Sequence, residues 1–305
     1  MIDIWAISVS AGDADALTRY EAAEAMREWV AAGGSGVPLL TCHRAELYGM
    51  TEMPLVAATR AIVGVPAVRH LFRVAAGLES AVVGEDEVLH QVRDALQEAR
   101  AAGAVDHRLG RLFEMASAAG RRARAGHPGS PLGLAERAVA WLSERADLER
   151  GRVLVVGAGR VGSALARAAG VRGAGAQLTI ASRDVMRAAR LAALHRCDAI
   201  DLEAAASAVS DFDAVGIALA GPWKQVARAR GALPPIADLS APSALPDSVV
   251  FRGADFLGID QLFRKGSPPS GYVEAAGTIV EDWVRRYADW LSMREAFGEL
   301  GLVAS

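Results

Sequence analysis

The chain is predicted to be an α/β protein, with an N-terminal α+β unit over residues 1–140, a doubly wound unit over 141–266 and a C-terminal helix over 267–305. Three observations lead there. Residues 1 to about 60 alternate short apolar runs (Ile2 to Val9, Gly36 to Leu40, Ala45 to Met50) with helical stretches such as Ala22 to Ala32. Pro66 then opens a helix-rich region with stops at Gly103 and Gly126-His127-Pro128-Gly129. Finally, the β-branched run Arg152 to Val156 leads straight into Gly157-Ala158-Gly159-Arg160-Val161-Gly162 and the helix-like Ser163 to Ala169.

Strand, glycine turn and helix in that order give the third observation a chemical meaning. Gly157 allows the tight turn, Gly159 lets backbone N–H groups approach a pyrophosphate, and Gly162 permits close packing of helix on strand; Ala158, Arg160 and Val161 complete the turn. The phosphates then sit on the positive end of the helix. This is a Rossmann-type signature, preceded by a helix from about Leu134 to Ala146. The second strand is Gln177 to Ala181, and its end selects the cofactor: Ser182-Arg183 stand where an NAD site usually has an acidic residue, and Asp184 comes one step late. A guanidinium there suits a 2′-phosphate, which favours NADPH; the alternative is that Arg183 only caps the next helix or pairs with Asp184. Later strands fall at Ala214 to Leu219, Ile236 to Leu239 and Asp255 to Gly258. From about Gly271 a helix carries Tyr272, Trp283, Tyr287 and Trp290 at a 3-4 spacing, which reads either as core packing or as a partner face.

Composition narrows the function classes. The 305 residues, 52% of them hydrophobic, suffice for two cored domains. No apolar run approaches a membrane span and the N-terminus lacks a signal-peptide pattern, so a cytoplasmic protein is expected. Two cysteines, Cys42 and Cys197, give neither a metal spacing nor a disulfide framework. The net charge of −3 excludes a general polyanion binder. A local basic cluster exists at Arg108, Arg111, Arg121, Arg122 and Arg124, either as a solvated helix face or as a contact for RNA phosphates.

The segment Thr41-Cys42-His43-Arg44-Ala45-Glu46-Leu47-Tyr48 sets a thiol among a cation, a histidine and a carboxylate. A thiol attacks only as its thiolate, and Arg44 or His43 can lower its pKa from about 8.5, which makes Cys42 the leading nucleophile candidate; the plainer reading is a small buried hydrophobe. Arg44 suits a carboxylate held by two parallel hydrogen bonds, or else a pair with Glu46 within the strand.

Thr41 to Tyr48, His70-Leu71-Phe72-Arg73-Val74-Ala75-Ala76-Gly77-Leu78-Glu79-Ser80, Val83-Gly84-Glu85 with Gln91-Val92, and Val153 to Gly162 together resemble, in order and spacing, the glutamyl-tRNA reductase family, over about residues 37 to 295. The resemblance implies NADPH-dependent reduction of glutamyl-tRNA to glutamate-1-semialdehyde through a cysteine thioester, the first step of tetrapyrrole synthesis. It makes Cys42 the nucleophile, His70 a histidine close to the thiol that acts as base or acid, and Arg44, with Thr41, Glu85 and Gln91, the substrate contacts. It implies the tRNA acceptor end as substrate and glutamate-1-semialdehyde aminomutase as a partner. The chain departs from the family pattern at Ser8-Val9-Ser10, His43, Glu87 and Gly133, which bears on substrate recognition more than on chemistry. A related reductase of another aminoacyl or carrier-bound acyl group, and a non-catalytic NADPH-binding homologue, are the alternatives. Without the family's further C-terminal dimerisation domain, a monomer or weak dimer is expected.

Overall fold

The computed structural model describes residues 3–80, 87–125, 133–172, 177–250, 255–262 and 270–299. The chain divides into two compact units, Met1–Pro131 with Gly266–Ser305, and Leu132–Lys265.

The first unit is built on an antiparallel sheet of order β2-β3-β1-β4, formed by β1 (Trp5–Ser10), β2 (Val37–Leu40), β3 (Arg44–Gly49) and β4 (Arg60–Val63). Side chains alternate across a strand, so Ile7, Val9, Ala45 and Leu47 share one face. Ala22, Ala23 and Met26 of α1 (Ala16–Ala31) cover it. This helix starts well before the apolar stretch at Ala22 because Asp15 caps it, its carboxylate accepting the Thr18 N–H at 2.8 Å. On the opposite face Ala6 and Tyr48 meet α2 (Val65–Ala75), α3 (Glu87–Ala101) and α4 (His107–Ala125).

The second unit carries a six-stranded parallel sheet of order β10-β9-β8-β5-β6-β7. Its strands are β5 (Arg152–Val156), β6 (Gln177–Ala181), β7 (Asp198–Ile200), β8 (Ala214–Ile217), β9 (Ile236–Asp238) and β10 (Phe256–Gly258). Its helices are α5 (Leu134–Ser143), α6 (Arg160–Arg172), α7 (Val185–His195), α8 (Leu202–Ser207), α9 (Asp247–Val250) and α10 (Ile259–Leu262). With β5 counted as the first strand the order is that of the dinucleotide-binding doubly wound fold, reversing between β5 and β8. Helix α5 packs Ala135, Ala138 and Leu142 into this unit's core, so the division falls before it rather than at residue 140.

The last helix, α11 (Ser270–Glu299), returns to the first unit and packs along α2 and α4 rather than forming a segment of its own. Tyr272 and Tyr287 are buried, and their hydroxyls donate to the carbonyls of Ala76 (2.6 Å) and Arg108 (3.0 Å). Trp283 and Trp290 pack half-buried against the same core, and Arg69 pairs through two hydrogen bonds with Glu281. The 3-4 aromatic spacing is thus core packing. Among the described residues no helix is long and apolar enough to cross a membrane.

Candidate active site

Residues Thr41, Cys42 and His43 form the tight turn between β2 and β3. Thr41 organises it: its hydroxyl accepts the N–H groups of His43 (3.1 Å) and Arg44 (3.2 Å), and its own N–H donates to the Arg44 carbonyl at 2.9 Å. Thr41, expected as a substrate contact, is thereby first a turn-forming residue. Cys42 is partly exposed at the apex. From α1 the buried Arg19 reaches the turn, its Nη2 and Nε donating to the Cys42 carbonyl at 2.9 and 3.3 Å and its Nη1 to the Ala14 carbonyl at 2.7 Å. His43 is also buried. Desolvation, reinforced by Arg44 and Arg19, lowers its pKa to about 3, so at neutral pH it is uncharged. The cations beside Cys42 are therefore arginines, not His43.

Below the turn, β3 turns Arg44, Glu46 and Tyr48 to one face by its period of two, and all three are buried. Glu46, wholly buried, is the hub. Its Oε1 accepts from Ser8 Oγ (3.1 Å) on the neighbouring strand, from Arg44 Nη1 (3.1 Å) and from His70 Nε2 (3.0 Å) on α2; its Oε2 accepts from the Tyr48 hydroxyl at 2.6 Å. Ser8 reaches it because β1 pairs Ser8 directly with Glu46. Burial alone would raise this carboxyl's pKa, but His70, Arg44 and the hydrogen bonds from His70 and Tyr48 hold it well below the usual carboxylate range. Tyr48 is pushed well above its ordinary value by burial and by the Glu46 charge, so it remains a neutral donor. An ionised carboxylate only accepts, so His70 carries its proton on Nε2 in this contact and Nδ1 is the ring's other position. The Tyr48 and His70 rings lie nearly parallel, at 21° to each other with centroids 6.4 Å apart.

Arg44 is buried and pairs with Glu46, the within-strand reading, while its Nη2 donates to the Glu79 carbonyl at 2.6 Å. Two of its five N–H donors are thus spent inside the protein. Ser80, next in the chain, has a buried hydroxyl with no partner among the described residues. Ser8, Arg19, Glu46, Tyr48 and Ser80 were not singled out from the sequence as site residues. Of the other expected contacts, Gln91 is half-buried on α3 and Glu85 lies outside the described residues. The basic cluster is smaller than its sequence suggests. Arg108 pairs with Asp106, Arg111 with Glu114, and Arg124 donates to the carbonyls of Ala75 and Gly120; Arg111, Arg121 and Arg122 are its exposed members on α4, and of these Arg111 has a carboxylate at hand.

In the second unit, Gly157 (φ +120°) lies so close to the Ala218 carbonyl that a Cβ would sit 2.1 Å from its oxygen, and one on Gly162 would sit 1.9 Å from the Gly157 oxygen. Around Gly159 the space is open, as an approaching pyrophosphate requires, and the first-turn N–H groups of α6 follow it. Ser182 is buried at the end of β6, while Arg183 is exposed beside Gly221. Asp184 caps α7 through the Arg187 N–H (3.0 Å) and pairs with the Arg187 side chain, so the acidic residue is committed elsewhere. At the end of β9, buried Asp238 accepts from Ser240 N (2.9 Å), Ser243 Oγ (2.7 Å) and Ala244 N (2.8 Å), and Ser240 Oγ accepts from Leu219 N (2.9 Å), which ties together the loops at the carboxyl ends of β8 and β9. The glycine turn and Arg183 fit a dinucleotide with a 2′-phosphate.

Two family models cover the two units: the N-terminal domain of glutamyl-tRNA(Glu) reductase over residues 7–126, and shikimate/quinate 5-dehydrogenase over residues 138–251. The glutamyl-tRNA reductase of Chloroflexus aggregans is 31% identical over 316 residues, spanning 88% of this chain and 69% of that protein. Glutamyl-tRNA reductase 2 of Pyrobaculum arsenaticum is 36% identical over 197 residues, 59% of this chain, and the match spans about half (48%) of that relative. The solved glutamyl-tRNA reductase of Methanopyrus kandleri superposes with a TM-score of 0.51 at 26% identity, covering 95% of this chain and 81% of that one. A relative matched along most of both lengths, and a reductase model laid over the very unit that holds the Cys42 turn and the Glu46 hub, place this chain in the glutamyl-tRNA reductase family.

Proposed function

We propose that the chain reduces the acyl group of glutamyl-tRNA to glutamate-1-semialdehyde with NADPH, through a thioester on Cys42, as the first step of tetrapyrrole synthesis. The observation that carries this reading is a partly exposed cysteine on a turn held by the buried Arg19, at the entry to the strand whose Glu46 hub orients His70. His70 takes the thiol proton at Nδ1 while Glu46 holds Nε2–H, as a carboxylate orients a general base. The Cys42 sulfur then adds to the ester carbonyl. The bond to the tRNA 3′ oxygen breaks, and that oxygen takes the proton from His70. NADPH, when bound by the glycine turn with Ser182 and Arg183, supplies a hydride. Release of the aldehyde restores the Cys42 thiolate. The remaining donors of Arg44 and the unpartnered Ser80 hydroxyl are the groups that meet the glutamyl moiety, with Thr41, Glu85 and Gln91 completing the contacts. Arg121 and Arg122 meet phosphates near the acceptor end. The aldehyde passes to glutamate-1-semialdehyde aminomutase, and the enzyme works in the cytoplasm.

Purified protein given charged glutamyl-tRNA and NADPH should form semialdehyde. Reduction of a small acyl thioester but never of glutamyl-tRNA would move the assignment to another acyl donor. The cofactor choice rests on Arg183: in Arg183→Asp the 2′-phosphate loses its cation and meets a like charge, so preference should swing from NADPH toward NADH by at least about tenfold, or 1.4 kcal/mol. Titration of both cofactors by fluorescence measures this, and an unchanged NADPH affinity would assign the 2′-phosphate to another residue.

A further inference from the structure

We infer that Arg19 is the positioning residue of the Cys42 turn, fixing its backbone and supplying the permanent cation beneath it; the inference rests on the catalytic role proposed for Cys42. Arg19 stands on the buried stripe of α1 with Ala22, Ala23 and Met26, a stripe that otherwise reads as pure core. A guanidinium is costly to bury, and it stays here because its planar fork is used: two N–H groups chelate a single carbonyl, that of Cys42, and a third holds Ala14 at the entry to the helix. The alternation of β3 puts α1 on one face of the sheet and the Glu46–His70 hub on the other. The turn is thus gripped from the α1 face by Arg19, while Thr41 closes it from within. The positive charge of Arg19 also reaches this turn, because it is one of the influences that keep His43 uncharged. With His43 neutral and Arg44 paired to Glu46, Arg19 is the fixed cation that holds this turn, of the kind that favours a thiolate at Cys42.

A fork and a charge can be separated by substitution. Arg19→Gln removes the charge and most of the fork, whereas Arg19→Lys keeps the charge with a single point donor. Three quantities are measured on variants whose far-UV circular dichroism shows a folded chain: the iodoacetamide alkylation rate of Cys42 at neutral pH, with Cys197 as internal reference, and kcat and KM for glutamyl-tRNA. Arg19→Gln should slow Cys42 alkylation about tenfold or more relative to Cys197 and lower kcat while KM stays within about twofold. Arg19→Lys should recover at least half of the lost alkylation rate. If Arg19→Gln does not fold, Arg19→Lys alone decides: a kcat reduced at least about fivefold with alkylation near the unsubstituted rate supports the fork, and unchanged kcat overturns it. Alkylation and kcat within twofold of the unsubstituted protein in both variants would overturn the inference, as would equal acceleration of Cys42 and Cys197, which signals general loosening. The alkylation readout does not depend on the reaction. A failure of Cys42 as nucleophile shows in Cys42→Ser turnover, and a failure of Arg19 shows in the alkylation rates.

Discussion

Cys42→Ser should lower reduction of glutamyl-tRNA on the order of a thousandfold or more, about 4 kcal/mol of barrier, with NADPH affinity unchanged. A serine hydroxyl is scarcely ionised at neutral pH, and the ester it forms is a poorer hydride acceptor than a thioester, so both halves of the reaction suffer. Cofactor affinity is spared because the glycine turn belongs to the other unit. Cys197→Ala is the control. Burial and the neighbouring Asp198 raise the Cys197 thiol above its ordinary value, which disfavours its thiolate, and its replacement should leave the rate nearly unchanged. Substantial turnover by Cys42→Ser, or a matching loss in Cys197→Ala, would remove the thiol chemistry from Cys42.

Glu46→Gln carries the second large effect. The carboxylate is the shared acceptor of Ser8, Arg44, Tyr48 and His70, and its loss leaves the Arg44 cation buried without its counter-charge. Breaking a buried pair by removing one partner costs about 3–5 kcal/mol, which for a unit of this size lowers the melting temperature on the order of 10 °C. His70 loses its orienting partner at the same time, so kcat should fall beyond what the remaining folded fraction explains. The pH dependence has a definite sign. The folded pKa of Glu46 lies below its ordinary 4.5, so its contribution to stability is complete above that value and is lost as the pH falls below it. Melting curves between pH 7 and 3 should show a steeper acid loss in the unsubstituted protein than in Glu46→Gln. Parallel curves, or a variant as stable as the parent at pH 7, would show that the hub is not what holds this unit's polar core.

The features legible in the sequence were those written in local chemistry. The β5 to α6 turn was readable because Gly157 and Gly162 leave no room for a Cβ and so must be glycine. Cys42 stood out by its neighbours, and Gln177–Ala181 was placed to the residue by its apolar run. Two strands escaped: Asp198–Ile200 is only three residues long, and Arg60–Val63 is a largely exposed edge with no alternation to read. The hub escaped for a different reason. The run Arg44-Ala45-Glu46-Leu47-Tyr48 alternates polar with apolar as a half-solvated strand does, yet α2 to α4 cover its polar face, and that follows from the tertiary fold alone. Arg19 and His70 are 23 and 24 residues from the groups they hold, so no local pattern joins them. The basic cluster shows the same limit: of five arginines near one another in sequence, Arg108 and Arg111 pair with carboxylates and Arg124 donates to carbonyls, contacts that the spacing alone does not disclose.

The most direct test is intact-protein and peptide mass spectrometry after mixing the chain with glutamyl-tRNA in the absence of NADPH, so that the acyl-enzyme accumulates. One glutamyl group, labile to hydroxylamine, should appear on the peptide carrying Cys42 and should be absent from Cys42→Ser. Semialdehyde formation by a protein that never acquires that adduct, or an adduct on Cys197, would contradict the account.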